Sequence, residues 1–315
     1  MKNKLLNDKI DILKWGIDMT KEEINYALQR TKQIVEFSGY QSYSDYSFIC
    51  GASNENHEAL AKILGYKNKS LLTVAGSGEQ YLSAKYAGAK NVTLYDINNL
   101  SKLYVYLKIG AIKNLNYEDF INFLIPINNQ KYLSINTLLK ISDYLPEYVS
   151  EYWYNVLKQY GYDNLEKLIL YPTDYNKDDY FTNGAPYYKK ENYSELKHLI
   201  QNENYPEFIP TSIYNITTQI PSKKFDIIDT SNIIECILSD SWNFDCYSEY
   251  TIINWINLIE KELTKLLNKN GQIIVDYEPS TFSKELVEHN SFKKYEIESK
   301  KKEKSLVLVY KNNGN

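Results

Sequence analysis

Short apolar runs alternate with longer amphipathic stretches through most of the chain. Between the runs, apolar residues recur at helical spacing, as in the stripe formed by Leu100, Leu103, Tyr104 and Leu107, while the runs themselves have the length of buried strands. Strands that alternate with helices predict a parallel sheet with helices on both faces. The predicted strands are 71–75, 92–95, 207–213, 225–230 and 272–277, followed by a terminal hairpin of 294–298 and 305–310.

Helical patterns fill the remainder of the chain. Thr20 and Glu23 have the spacing of a capping box, which predicts an amphipathic helix over about 20–37. Residues 117–204 carry no strong strand pattern. The other predicted helices are 57–64, 135–145, 146–160 and 247–268, with a looser stretch at 172–185.

These patterns predict a doubly wound, Rossmann-like α/β fold. We expect an α/β domain over 57–315, preceded by an N-terminal helical segment and lid over 1–56. A helical insertion over about 117–204 leaves the sheet after the second strand and its helix and returns to the third strand. Because such insertions often shape the ligand cleft of α/β enzymes, we expect this one to cover the cleft.

The first predicted strand is followed by Gly76-Ser77-Gly78, and the second predicted strand is followed by Asp96. Glycines let the backbone approach a ligand, and a carboxylate about 20 residues later can accept both hydroxyls of a ribose. Dinucleotides and S-adenosylmethionine both use this layout, and a tight turn without a ligand is the third interpretation. The dinucleotide pattern expects a glycine where Tyr81 stands, and small-molecule methyltransferases usually carry an acidic residue where Val74 stands. The terminal hairpin favours the S-adenosylmethionine-dependent transferase fold, in which the last strand inserts antiparallel.

The amino-acid composition bears on which partners, metal sites and cellular location are expected. The formal net charge is -4, which provides no general attraction to nucleic acid or anionic lipid. The three cysteines and three histidines lack metal-ligand spacing, so no metal site is predicted. Neither a signal peptide nor a membrane-spanning run is apparent, and we expect a cytoplasmic protein. The 31 tyrosines make any single tyrosine a weak site candidate.

The block from Leu71 to Leu124 resembles the bacterial S-adenosylmethionine:diacylglycerol 3-amino-3-carboxypropyltransferase family of betaine-lipid synthesis, and more closely its low-GC Gram-positive branch. The matching parts are LTVAGSG at the turn, AGAK before the second strand, YDIN after it, and the tyrosine-glutamate-aspartate-phenylalanine sequence beginning at Tyr117. Weaker matches are Ser53-Asn54-Glu55 and Ser231-Asn232-Ile233. Together they extend over about 40–310, although only the first block is specific.

The resemblance implies that S-adenosylmethionine binds at Gly76, Ser77, Gly78, Asp96 and Asn98, with Ser231 and Asn232 beside the sulfonium. Gln80, Ile97, Ser212 and Thr230 are further candidate cofactor contacts. Asp229 ends the fourth strand where a catalytic base could stand, although an acid at a strand end is commonly a loop acceptor. Tyr46 and Glu55 are candidates for closing the N-terminal segment over the ligand, with Tyr46 a candidate catalytic residue and Glu55 a cofactor contact.

These observations favour transfer of the 3-amino-3-carboxypropyl group from S-adenosylmethionine to a hydroxyl or amine of a lipid or small molecule. Methyl transfer to a small molecule is supported by the fold. A non-catalytic module that binds S-adenosylmethionine is the third hypothesis. No nucleic-acid partner is expected, and neither the acceptor nor the oligomeric state follows from the sequence.

Overall fold

The structure is a computed structural model that describes residues 18–37, 45–53, 55–124, 133–162, 164–170, 185–233, 249–277, 289–298 and 304–312. Its α-helices are α1 (Lys21–Phe37), α2 (His57–Leu64), α3 (Glu79–Tyr86), α4 (Asn99–Asn114), α5 (Tyr117–Leu124), α6 (Ile135–Ile141), α7 (Glu147–Tyr160), α8 (Lys190–Ile200), α9 (Ile216–Gln219) and α10 (Glu249–Asn257). Its strands are β1 (Ile49–Cys50), β2 (Ser70–Val74), β3 (Asn91–Asp96), β4 (Ile169–Leu170), β5 (Phe208–Pro210), β6 (Phe225–Asp229), β7 (Leu267–Tyr277), β8 (Phe292–Glu298) and β9 (Lys304–Lys311).

Seven strands form the central sheet in the order β5-β3-β2-β6-β7-β9-β8. The first five of these are mutually parallel, and β9 pairs antiparallel with both β7 and β8. The predicted antiparallel insertion of the last strand is therefore confirmed. This strand order identifies the fold as the doubly wound, Rossmann-like fold of S-adenosylmethionine-dependent transferases.

The strand connections reverse direction across the sheet at β2. The chain first adds β3 and β5 on one side of β2 and then adds β6 and β7 on the other. In open α/β sheets, ligands bind in the crevice at the carboxyl ends of the strands flanking such a switch point. The candidate ligand cleft therefore lies where β2 ends at Val74 and β6 ends at Asp229.

The N-terminal segment and the insertion are joined by a second, small sheet. Parallel pairing of β1 with β4 connects Ile49 and Cys50 to Ile169 and Leu170. The sequence pattern did not predict β4, which lies within the insertion. The capping box of α1 is present, since the Thr20 N–H donates to Glu23 Oε2 at 2.7 Å and the Glu23 N–H donates to Thr20 Oγ1 at 3.2 Å.

Several predicted boundaries shift. Within the described residues, the predicted helix over 247–268 is α-helical from Glu249 to Asn257 and continues as a π-helical turn, Leu258–Glu262, and a 3-10 turn, Leu263–Leu266. The predicted strand over 207–213 ends at Pro210, which leaves Ser212 beyond β5. The looser stretch at 172–184 and the hairpin tip at 299–303 lie outside the described residues. Within the described ranges, no helix combines the length and apolarity needed to cross a membrane.

Candidate cofactor site

The turn between β2 and α3 holds two glycines in the left-handed region. Gly76 has φ +46° and Gly78 has φ +84°, values that residues with a Cβ rarely adopt. A Cβ on Gly78 would lie 3.1 Å from one methyl of Val105 and 3.2 Å from the other, so this glycine lets α3 pack closely on α4. A Cβ on Gly76 would instead face the Gln80 amide, 3.7 Å from its Oε1. Gly76 borders the Gln80 side of the cleft, where a Cβ would make ordinary contact, whereas Gly78 serves packing.

Asp96 ends β3 in direct contact with this turn. Its Oδ2 accepts a hydrogen bond from the Gly76 N–H at 3.0 Å, and its Oδ1 accepts one from the Asn98 N–H at 2.9 Å. Burial raises the pKa of Asp96 to about 6, and these hydrogen bonds to the carboxylate oppose the rise. Ile97 follows with 42% of its surface exposed. The structure therefore brings together the turn and the acidic residue that the sequence singled out.

The carboxyl end of β6 forms the other side of the cleft. Asp229 is 2% exposed, and burial raises its pKa to about 6 although its Oδ1 accepts a hydrogen bond from the Ser231 N–H at 2.9 Å. Ser231 has φ +52°, a strained value of the kind that functional sites often retain. The Thr230 hydroxyl donates to the carbonyl of Ile274 at 2.8 Å, which ties β6 to β7. The Ser231 hydroxyl also lies 3.4 Å from Asn232 Oδ1.

Glu55 connects the two sides of the cleft. The Gln80 amide donates to Glu55 Oε2 at 3.2 Å and lies 3.4 Å from the hydroxyl of Ser231. That hydroxyl donates to Glu55 Oε1. Glu55, Gln80 and Ser231 come from the N-terminal stretch, α3 and the end of β6, and all three are buried. The structure thus assembles three predicted residues that are far apart in sequence.

Buried polar atoms around this cleft still offer unused hydrogen-bonding capacity. Ser77 Oγ, Gln80 Oε1 and Tyr95 Oη have no hydrogen-bond partner within the described part of the chain. A buried polar atom without a partner costs free energy, so a ligand or water that supplies one is favoured. Because carboxylates of Asp96, Asp229 and Glu55 lie nearby, the site matches a cationic ligand that is rich in hydrogen-bond donors.

A second buried polar group lies behind the turn, and sequence reasoning missed it. Glu79, the first residue of α3, accepts hydrogen bonds at Oε1 from the hydroxyls of Tyr187 at 2.8 Å and Tyr188 at 2.9 Å. Its Oε2 lies 3.6 Å from Nε2 of His57. Lys108 is fully buried and donates to the Ser77 carbonyl at 2.7 Å and to the Tyr187 hydroxyl at 3.2 Å. A lysine inside the apolar pattern of α4 was the sequence signal that could have revealed this group.

These contacts place part of the insertion at the glycine turn. Tyr187 and Tyr188 belong to the predicted insertion, and the carboxylate that they contact begins α3. Tyr187 also stacks in an edge-on arrangement with Phe120, with ring centroids 5.3 Å apart. The insertion therefore packs beside the cleft. Among the described residues, no group of three or more His, Cys, Asp or Glu side chains is arranged to hold a metal ion.

Three other residues that the sequence predicted for the site make packing, helix-capping or turn contacts within the protein. The Tyr46 ring packs edge-on against Tyr26 at 5.0 Å, and burial raises the pKa of Tyr46 to about 12, so its hydroxyl stays protonated at neutral pH. The Asn98 side chain caps α4 by accepting from the Leu100 N–H at 3.1 Å and donates to the carbonyl of Phe48 at 2.8 Å. Ser212 is half-buried, and its carbonyl accepts a hydrogen bond from the Asn215 N–H at 3.0 Å.

No protein-family model matches the chain, and no curated protein is similar to it in sequence. Solved structures similar to it in fold include a protein from Streptococcus mutans described as a S-adenosylmethionine-dependent methyltransferase, with a TM-score of 0.40, 10% identity, and alignment over 83% of this chain and 50% of that protein. A ribosomal protein L11 methylase from Lactobacillus delbrueckii subsp. bulgaricus has a TM-score of 0.36 and 14% identity, over 82% of this chain and 77% of that one. An rRNA methyltransferase from Streptomyces viridochromogenes has a TM-score of 0.41 and 8% identity, over 82% of this chain and 84% of that one. The chain spans only half the length of the first of these proteins, and at such low similarity its own strand order, rather than these alignments, identifies the fold.

Proposed function

We propose that the chain is a S-adenosylmethionine-dependent transferase whose cofactor binds between the glycine turn, Asp96 and Ser231. The observation that carries this proposal is the direct contact of the Asp96 carboxylate with Gly76 at the switch point of the sheet. The unused acceptors Ser77 Oγ and Gln80 Oε1 support it, because S-adenosylmethionine presents two ribose hydroxyls and an ammonium as donors. The net positive charge of S-adenosylmethionine suits a cleft that contains buried carboxylates.

Each residue has a defined task under this proposal. Asp96 would accept the ribose hydroxyls, while Ser77 and Gln80 would hold the amino-acid part of the cofactor. The cofactor supplies carbons activated by an adjacent sulfonium, so the protein needs to align the acceptor, exclude water and take up a proton. Asp229 and Glu55 are buried carboxylates that would serve the last task.

The group that we propose to be transferred is 3-amino-3-carboxypropyl, and the acceptor a hydroxyl or amine of a lipid or small molecule. Support comes from the block between Leu71 and Leu124 that resembles the betaine-lipid family, and from Val74 standing where small-molecule methyltransferases usually carry an acid. The formal net charge of -4 favours such acceptors over a polyanion. Methyl transfer is the second candidate, because methyltransferases share this strand order.

The nucleoside left after turnover distinguishes these candidates. We expect S-adenosylmethionine labelled in its carboxyl carbon to pass its label to an acceptor, in vesicles containing diacylglycerol or in a panel of small alcohols and amines, and to leave methylthioadenosine. Asp96→Ala should raise the S-adenosylmethionine concentration needed for transfer, in line with its weaker cofactor binding. Transfer of a methyl label with S-adenosylhomocysteine as the only nucleoside product would show that methyl transfer is the correct assignment. Binding without any turnover across the panel would support the non-catalytic alternative.

A further inference from the structure

Helix α4 buries three lysines, and Lys102 differs from the other two. Lys102, Lys108 and Lys113 are 5%, 0% and 8% exposed. The Lys108 ammonium donates to the Ser77 carbonyl at 2.7 Å, and the Lys113 ammonium donates to the carbonyl of Glu203. The Lys102 ammonium has neither a hydrogen-bond acceptor nor an ion-pair partner within the described part of the chain. Lys102 is therefore a buried amine that is not held by a polar group of those residues.

Three aromatic rings from three different elements flank this amine instead. The Lys102 nitrogen lies 5.7 Å from the ring centroid of Tyr106 in α4, 5.2 Å from that of Tyr148 in α7 and 5.9 Å from that of Phe208 in β5. Ring faces attract an ammonium, but they also displace the water that would hydrate it. An apolar pocket of this kind is the environment in which lysine becomes a nucleophile.

The protonation of Lys102 agrees with this geometry. Burial lowers the pKa of Lys102 to about 8, and the charges of Glu23 in α1 and of the exposed Asp18 before it oppose the change. At pH 7.5 such a pKa leaves roughly a quarter of the amine neutral, against about 0.1% for an ordinary lysine with a pKa of about 10.4. Because only the neutral amine has a free lone pair, Lys102 has far more of the reactive form.

We propose that Lys102 is a site of covalent modification, at which a small acyl phosphate acylates the side-chain amine. The lone pair of the nitrogen forms a bond to the acyl carbon, the bond from that carbon to the bridging oxygen breaks, and phosphate leaves with its electron pair. The nitrogen then loses one proton to solvent. A compact donor suits a residue with only 5% of its surface exposed, whereas a thioester of coenzyme A is much larger.

Acylation of Lys102 has a structural consequence that does not rest on the proposed function. The amide product carries no charge, so the attraction to the rings of Tyr106, Tyr148 and Phe208 ends. These rings belong to α4, to α7 of the insertion and to the edge strand β5. Modification therefore acts where the insertion packs against the edge of the sheet.

Reaction of the wild-type protein with isotopically labelled acetyl phosphate tests the proposal. The initial rate at each lysine is measured by mass spectrometry of proteolytic peptides between about pH 6.5 and pH 10.5. We expect the rate at Lys102 to rise with a midpoint near pH 8 and to level off above about pH 9. Absence of label on Lys102, or a midpoint near the ordinary lysine value of about 10.4, would overturn the proposal.

Lys85 is the matched internal control for burial. It is 8% exposed, close to the value for Lys102, but its ammonium pairs with Glu203 at 2.7 Å. At pH 7.5 we expect Lys85 to take up label about tenfold more slowly than Lys102, because its lone pair is not available while the ion pair persists. Equal rates at the two lysines would show that the aromatic surroundings of Lys102 confer no special reactivity, and would overturn the assignment.

Asp18→Asn tests whether the midpoint reports the surroundings of Lys102. Asp18 favours the charged form of the amine, so its replacement should move the midpoint at Lys102 to lower pH. Because Asp18 is exposed and precedes α1, the variant is expected to fold. A midpoint that stays in place or rises would contradict the account.

Acetyl-coenzyme A at the same concentration tests the class of donor. We expect the ratio of label on Lys102 to label on Lys62, whose side chain is 74% exposed, to be lower with acetyl-coenzyme A than with acetyl phosphate. A higher ratio with acetyl-coenzyme A would overturn the assignment of a small acyl phosphate as the donor.

Discussion

At the scale of single residues, two aspartates of β6 show how position along one strand decides the effect of a carboxylate. Asp229 stands at the buried carboxyl end, and burial raises its pKa to about 6. Burial alone would also raise the pKa of Asp226, but hydrogen bonds from the N–H and hydroxyl of Ser70 and from the Asn268 amide hold it below its usual value. Asp226 therefore stabilises the sheet as an anion, whereas ionised Asp229 is a cost to the fold.

Asp229→Asn is expected to stabilise the free protein at neutral pH. Because the folded state binds the proton of Asp229 more tightly than the unfolded state, stability falls as pH rises from about 4 to about 6, and the loss persists at higher pH. Removing the charge should recover roughly 2 to 3 kcal/mol of unfolding free energy at pH 7.5, measured by urea unfolding, and most of this gain should vanish at pH 4.

Asp226→Asn is the matched control on the same strand. It should lower the stability of the fold at neutral pH, because an NH2 group, which donates hydrogen bonds, replaces one of the two carboxylate oxygens that accept them. Equal stability of the wild-type protein and Asp229→Asn at both pH values would contradict the assignment of Asp229 as a buried, destabilising carboxylate. A stabilised variant that also loses group transfer would be expected if Asp229 receives the proton of the acceptor.

At the scale of elements, the turn between β2 and α3 separates two roles that the sequence presents as one motif. Gly78 immediately precedes α3, and a Cβ at this position would press against Val105 of α4, so its lack of a Cβ serves helix packing. Gly76 donates its N–H to Asp96, and a Cβ at this position would face the Gln80 amide in the cleft, so Gly76 belongs to the ligand side of the turn. A glycine-rich turn therefore need not have all its glycines near the ligand.

Gly78→Ala and Gly76→Ala should consequently have different effects. Both substitutions place a Cβ at positive φ, which costs roughly 1 to 2 kcal/mol of stability. Gly78→Ala should lose more stability because of the contact with Val105, and Gly78→Ala should cost less stability in a Val105→Ala background than in the wild-type protein. Gly76→Ala should lose S-adenosylmethionine affinity beyond its loss of stability. Thermal unfolding and calorimetry measure both quantities, and equal losses of affinity and stability in the two alanine variants would refute the division of roles.

The sequence predicts most elements of this fold because their signals are local. The glycine turn, the capping box of Thr20 and Glu23 and the positions of the five parallel strands along the chain depend on short-range spacing. The pairing of β1 with β4 could not be predicted, since it joins two-residue strands more than 100 positions apart, at Ile49 and Ile169. The irregular turns after Asn257 keep a helical periodicity of apolar residues, so the pattern does not reveal where the α-helix ends.

At the scale of the whole molecule, the site is assembled from segments that only tertiary structure brings together. Glu55, Gln80 and Ser231 were each predicted as contacts, yet nothing in their spacing shows that they touch. His57 and Tyr187 were not predicted because single histidines and tyrosines carry little information in this chain, which contains 31 tyrosines. Their importance follows from burial beside Glu79, a property that composition and periodicity do not report.

The central claim is that the cleft at the switch point binds S-adenosylmethionine through Asp96. Calorimetry with the wild-type protein, Asp96→Ala and the exposed-residue control Asp45→Ala tests it most directly. We expect wild type and Asp45→Ala to bind equally. Asp96→Ala should bind about tenfold to a hundredfold more weakly, which corresponds to loss of one or two charged hydrogen bonds. Absence of binding by the wild-type protein, or unchanged affinity in a folded Asp96→Ala variant, would contradict the account.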